Sequence, residues 1–426
     1  MIKTINIQEL VGNHVAPYLY NSANFKPGET VIPYSGPYWD NQESEAAIGA
    51  FLNGKWISAG EYVYRFEQEF NKRFNVGYSL MVNSGSSANL VMVAALKKYL
   101  NWKDGDEVIV SPAAFPTTVS VLYQNRLNPV FVDIEWDTLN FDVTKIEEKI
   151  TQKTKAVFLS PVLGNPPNMD ELMDICIDNE LELILDNCDS LGSKWNGKYL
   201  NEYVIASSCS FYAAHHLCTG EGGMVSANDK GLMKVMQSIA HWGRDCNCIG
   251  ADNLDLKGSC GHRFDKWLEA YDGIIDHKYV FTNMGYNLKP LDLQGAIGLI
   301  QLNKFIEIEA KRKLSKVVIE NIISKVPGVH GVKSFDQADV CWFGTPFICE
   351  EPGLKHKLVA HLEKHLIQTR NYFTGNILMH PGYKFMDDYR NYPEANKVLD
   401  KVFFIGAAPH YTDEIFNYIE EVIKKF

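Results

Sequence analysis

The stretch Ser207 to Ser226, SSCSFYAAHHLCTGEGGMVS, sets two adjacent histidines and a Gly-Glu-Gly-Gly turn between apolar, β-prone ends. His215 follows Ser210 by five residues, and no lysine lies between Lys198 and Lys230. An imidazole titrates near working pH, ordinarily at about 6.5, so His215 is a candidate general base.

Three further groups of residues have types suited to chemistry. Ser84-Gly85-Ser86-Ser87-Ala88 opens a strongly helical segment. Small residues at a helix N-terminus offer free N–H groups and hydroxyls to an anion; a plain serine N-cap explains the same residues. Asp186 ends the apolar run LELILD, where a carboxylate suits a cationic nitrogen; capping of the next turn is the alternative, and Asp189 is placed for the same role. Phe115 falls in a loop after a strand, where open α/β sheets bind ligands. Among nine cysteines, Cys188, Cys246, Cys248 and Cys260 lie in polar, irregular surroundings. The other five sit singly in apolar stretches, as small buried hydrophobes do.

The elements that must position these groups follow from periodicity. Residues 45–75, including EYVYRFEQEFNKRF, carry apolar positions at helical spacing. DEVIVSPAAF and NPVFVDI read as strands flanking a helix from about Pro116 to Gln124. KAVFLS and LELILD are two more strands with a helix between them, and a helix follows over about Lys230 to His241. Strands alternating with helices predict an α/β fold with a mainly parallel sheet. Beyond about residue 310 the pattern changes to helices around CWFGTPFI, as expected of a smaller α+β domain. The predicted division is 1–310 for a large domain and 311–426 for a small C-terminal one.

A length of 426 residues suits such a pair of domains. The formal charge of −11 argues against general nucleic-acid binding, which needs a cationic surface. No run is apolar and long enough for a membrane span, and the N-terminus lacks a signal-peptide core. A cytoplasmic protein is expected, and in that compartment nine cysteines do not predict a disulfide framework.

Taken in order, SGSSA, the Phe115 loop, DNCDSLG, SFY with GEGG, and GYNL followed by LQGAIGLIQL resemble the DegT/DnrJ/EryC1/StrS sugar aminotransferase family. The resemblance runs over most of the chain and implies the fold type I architecture of pyridoxal-phosphate enzymes. It implies that Gly85, Ser86 and Ser210 hold the cofactor phosphate and that Phe115 stacks on the pyridine ring. Asp186 would pair with the ring nitrogen and favour its protonated, electron-accepting form. Asn287 would reach the phosphate of a neighbouring subunit, which implies a homodimer.

The chain departs from that family at His215, where the family has the Schiff-base lysine. Imidazole forms no Schiff base, so the amine form, pyridoxamine 5'-phosphate (PMP), is the expected resident cofactor. The substitution is similar to that in the family's deoxysugar 3-dehydratases. One branch of these carries a 2Fe–2S cluster and takes electrons from a flavin-containing iron–sulfur reductase. Its cysteine pattern resembles Cys188, then Arg244-Asp245-Cys246-Asn247-Cys248 after 57 intervening residues, then Cys260 before Arg263-Phe264. Four thiolates suit such a cluster; zinc is the alternative metal. The gap from Cys248 to Cys260 is longer than in that branch. The resemblance implies C3 dehydration of a nucleotide-diphosphate 4-keto-6-deoxyhexose, with CDP-4-keto-6-deoxy-D-glucose as the expected substrate, in 3,6-dideoxysugar and O-antigen lipopolysaccharide biosynthesis. The alternatives are a cluster-free dehydratase of GDP-4-keto-6-deoxymannose that uses glutamate, a nucleotide-sugar aminotransferase, and a non-catalytic protein of the same fold.

Overall fold

The computed structural model describes residues 6–14, 24–54, 56–246, 248 and 261–426. A seven-stranded sheet takes the order Tyr78–Val82, Gly223–Ala227, Ala206–Ser210, Glu182–Asp186, Thr154–Leu159, Glu107–Val110, Asn128–Phe131. Neighbouring strands from Ala206–Ser210 to Asn128–Phe131 are parallel, and Gly223–Ala227 runs antiparallel to both of its neighbours. The α/β expectation therefore holds with one reversed strand. Its reversal has a simple cause: an antiparallel neighbour can be reached through a short connection, without a crossover helix. That connection, residues 211–222, carries His215 and returns at the register Ser210 to Gly223. It thus stays at the C-terminal end of Ala206–Ser210, beside the end of Glu182–Asp186.

Helices form where the apolar spacing predicts them. Pro116–Gln124 starts with its proline at a first-turn position, where the missing N–H costs no hydrogen bond. Residues 45–75 divide into two helices, Asn41–Asn53 and Glu61–Phe74. Glu61–Phe74 ends with Asn75 at φ 53°, a left-handed cap that asparagine tolerates. Gly85–Tyr99 packs on Ala206–Ser210 and Gly223–Ala227, burying Val91, Met92, Ala95 and Leu96.

A second, antiparallel sheet orders Val329–Gly331, Gly344–Cys349, Val402–Gly406 and Arg370–Asn371. Its own core includes Phe347, Leu358, Phe403, Ile405 and Ile419. The helix Asp292–Ile323 runs unbroken for 32 residues past position 310 and packs against both the early helices and this sheet. Among the described residues no helix is long and apolar enough to cross a membrane.

Candidate active site

At the C-terminal ends of the parallel strands lies a cavity of about 550 Å³. Gly85, Ser86, Phe115, Asp186, Cys188, Ser210 and His215 all line it. Sequence positions from 85 to 215 are brought together because each follows a strand end or opens a helix.

One end of the cavity is built for an anion. Ser84 is the N-cap of Gly85–Tyr99, and its side chain accepts from Ser87 N at 3.1 Å. The cap reading holds for Ser84, and it leaves the anion-site reading open for the residues after it. Ser84 caps, while the backbone N–H groups of Gly85 and Ser86 lie in the first helical turn, where no intrahelical acceptor exists. A Cβ on Gly85 would lie 2.5 Å from Ser210 Cβ and 3.0 Å from Cys188 Sγ, so only glycine lets these segments meet. A Cβ on Gly223 would lie 2.3 Å from Ser84 O. This is the physical use of the glycines after His215.

Asp186 is 5% exposed and fully engaged. Its Oδ2 accepts from Asn89 Nδ2 at 2.8 Å and Thr118 Oγ1 at 2.7 Å. Its Oδ1 accepts from Cys188 N at 3.2 Å, and Ser208 Oγ lies 3.5 Å away. Ser208 Oγ also donates to Asn89 Oδ1 at 2.6 Å. A carboxylate held by this many donors is fixed in place. Sequence reasoning missed Asn89, Thr118 and Ser208; the one signal for them is that Asn89 is the single polar residue in the run ANLVMVAAL. Phe115, otherwise a hydrophobic ring, is 48% exposed at the mouth of Pro116–Gln124 and turns an edge-on contact toward Phe373 at 5.9 Å.

His215 Nδ1 lies 3.5 Å from Asp189 Oδ1, and no hydrogen-bond partner of Nδ1 is present among the described residues. Burial pushes the imidazole down to about 4, and the charge of Arg312 adds to this; Asp186 and the Cys188 backbone act in the opposite sense. His215 is therefore neutral and able to accept a proton. Burial and the nearby Asp186 push the Asp189 carboxyl up to about 8. His216 points elsewhere: its Nε2 meets Cys341 O at 2.8 Å, and it does not line the cavity. Arg370 lines the cavity, but no lysine does among the described residues.

The remaining candidate residues lie apart. Asn287 bridges to His241 and does not line this cavity. Cys246 and Cys248 line a different cavity of about 530 Å³, which shares no lining residue with the first. Cys260 lies outside the described residues. Among those described, no three metal-ligating groups come together, so Cys188, Cys246 and Cys248 do not form the expected ligand set within one chain. The reason is placement. Cys188 is tied to the end of Glu182–Asp186, whereas the other two follow Lys230–Ala240 and line a cavity with residues 78–81.

The first cavity fits a pyridoxamine or pyridoxal phosphate: an anion cradle, an exposed aromatic face, a buried carboxylate and a neutral base surround one space. Comparison with known proteins agrees. The model of the DegT/DnrJ/EryC1/StrS aminotransferase family matches residues 39–424. A Saccharopolyspora spinosa protein named dTDP-4-dehydro-2,6-dideoxy-D-glucose 3-dehydratase is 37% identical, over 95% of this chain and 88% of its own. The lipopolysaccharide biosynthesis protein RfbH of Salmonella typhimurium is 34% identical, over 99% of this chain and 98% of its own. Among solved structures, E. coli GDP-4-keto-6-deoxy-D-mannose-3-dehydratase with bound hydrated PLP superposes with a TM-score of 0.81 at 30% identity. That superposition covers 93% of this chain and all of the other.

Proposed function

The chain belongs to the DegT/DnrJ/EryC1/StrS aminotransferase family, and from that premise we propose that it is a PMP-dependent 3-dehydratase of a nucleotide-linked 4-keto-6-deoxyhexose. The observation that carries this reading is the neutral His215 in a cofactor cavity whose described lining contains no lysine. The relatives named as 3-dehydratases support it.

When bound, the cofactor supplies an amine that condenses with the C4 ketone and a ring that stores an electron pair. Asp186 would pair with the ring nitrogen, Gly85, Ser86 and Ser210 would hold the phosphate, and Phe115 would cover a ring face. His215 would take a proton from the carbon bearing the amine and deliver it to the C3 oxygen as that group leaves as water. Burial favours the neutral imidazole that begins this sequence.

CDP-4-keto-6-deoxy-D-glucose is the first substrate to try on resemblance; the names of the relatives add dTDP- and GDP-linked sugars. A homodimer belongs to the same reading. Asn287 lies outside its own chain's cavity, near exposed Phe281, Met284 and Tyr286, as suits a residue serving a second copy. The resemblance also assigns a 2Fe–2S cluster on Cys188, Cys246, Cys248 and Cys260, fed by a reductase. The described thiols do not converge, so the proton and water chemistry above proceeds without it. That separation favours a second reading, in which glutamate regenerates the amine without a cluster.

The test is to incubate anaerobically purified protein with PMP and each nucleotide sugar, and to follow the product mass. A sugar product lighter by one oxygen supports the proposal, because water leaves and the two electrons of the cofactor's amine form stay with the sugar, whereas gain of an amino group at C4 overturns it. Iron and sulfide content, about two of each per chain for a 2Fe–2S centre, separates the two dehydratase readings. Turnover with glutamate alone and no iron selects the second.

A further inference from the structure

Arg312 sits on Asp292–Ile323, behind the wall of the cavity that carries His215, and is 1% exposed. Its guanidinium has no carboxylate at hydrogen-bonding distance among the described residues; its partners are backbone carbonyls. Nη2 donates to His215 O at 2.9 Å and approaches Ala214 O at 3.4 Å. Nη1 donates to Phe343 O at 3.2 Å, with Trp342 O and Ala407 O each at 3.5 Å.

A buried cation without a counterion is costly, so a charge kept here calls for a reason beyond filling space. The carbonyls it gathers come from three places. These are the turn bearing His215, the segment entering Gly344–Cys349, and the residue after Val402–Gly406. The rigid fork of a guanidinium can hold several such groups in one plane, which an ammonium cannot. Phe343, held by Nη1, places its ring 5.1 Å from the His215 ring. Neighbouring bonds fix the same turn: Ser35 Oγ donates to Ala214 O at 2.6 Å, and Ser315, one turn along from Arg312, donates to Ala408 O at 2.9 Å.

We propose that Arg312 is a positioning residue for the base: it locks the His215 turn to the second sheet, so that the imidazole and the C-terminal half of the chain hold one fixed relation. The assignment rests on the reading of His215 as the base. Around the imidazole stand Asp186, Cys188 and Asp189 at the strand end, Tyr212 and His216 on its own turn, and Arg370 on the cavity wall. Cys341 and His410, from the second-sheet side, lie close enough to Arg312 to feel its charge. Arg312 is the cation bonded to the histidine's own carbonyl.

Arg312→Lys keeps the charge and loses the fork. In the PMP-loaded enzyme it is expected to lower kcat at least tenfold with KM within threefold. The ring signals of His215, followed by NMR of ¹⁵N-histidine-labelled protein and assigned with His215→Asn, are expected to broaden or split as the turn loses its single position. Wild-type kcat or an unchanged His215 signal in Arg312→Lys overturns the positional role. If His215→Asn stays fully active while Arg312→Lys still broadens the His215 signal, the base assignment fails and the hold of Arg312 on His215 stands.

Discussion

Asp189 Oδ1 faces His215 Nδ1 across 3.5 Å inside the cavity, three residues after Asp186, the carboxylate proposed to pair with the ring. With Asp189 pushed up to about 8, the pair carries a neutral carboxyl beside a neutral imidazole at neutral pH. A neutral carboxyl at this distance does not fix the ring's tautomer. Ionisation of Asp189 does: its charge favours the proton on Nδ1 and leaves Nε2 as the free base. We therefore expect the dehydration rate to climb between about pH 7 and 9. Asp189→Asn should flatten that climb and lower the rate at its top by at least about tenfold. A pH–rate profile of both proteins checks this, and the same climb in the variant would assign it to another group.

Replacement of His215 itself separates chemistry from binding. Asparagine keeps a polar side chain in the turn but cannot take a proton. His215→Asn should lower dehydration by about 10²–10⁴-fold, the range for loss of a general base. PMP affinity should stay within threefold, since the phosphate cradle and Asp186 are untouched. Fluorescence titration with PMP, beside the rate assay, reads both quantities. Full activity in this variant would mean that a different group moves the proton.

Gly85→Ala tests the cradle. The added methyl would sit 2.5 Å from Ser210 Cβ and 3.0 Å from Cys188 Sγ, so helix and strand end must part. Alanine is the better helix former by roughly 0.5–1 kcal/mol, an effect of opposite sign. Any loss is therefore attributable to the close approach and not to the helix. PMP binding should weaken at least tenfold by equilibrium dialysis. Unchanged affinity would show that the phosphate does not use this approach.

Much of this site could be read from sequence, because its parts are local. The glycine-rich helix start, the strand ending in Asp186 and the turn after Ser210 each follow from a few neighbouring residues. What could not be read depends on distant contacts. Arg312 lies in KRKLSKVV, a pattern that suits a solvated helix face, yet it is buried against carbonyls 30 to 98 residues away. Asn89, Thr118 and Ser208 become partners of Asp186 only when two helices and a neighbouring strand pack around the end of Glu182–Asp186. The strand Val402–Gly406 is hidden for a related reason. Its short apolar run, VFFIG, has no period of its own, and its place between Gly344–Cys349 and Arg370–Asn371 is set by pairing. For the cysteines the matching pattern promised one cluster, whereas Cys188 and the Cys246–Cys248 pair lie in separate cavities.

Glu67 offers a prediction about stability, independent of the chemistry. It is 6% exposed on Glu61–Phe74 and accepts one hydrogen bond, from Met81 N at 2.7 Å. That bond favours the charged form, but burial outweighs it and pushes the carboxyl up to about 8 from an ordinary value of 4.5. Between those two values the folded chain keeps a proton that the unfolded chain has lost, so stability falls as pH rises from about 4.5 to 8. Glutamine can retain the bond from Met81 through its carbonyl oxygen, and it has no such titration. Glu67→Gln should therefore change stability little at pH 5 and raise it by about 1–4 kcal/mol at pH 8, since a tenfold difference in proton affinity between folded and unfolded chains corresponds to about 1.4 kcal/mol. Urea denaturation of both proteins at pH 5, 6.5 and 8 measures the difference. A gain that does not grow with pH would place the proton of Glu67 elsewhere, whereas a growing gain identifies this buried acid as a cost of folding in alkaline solution.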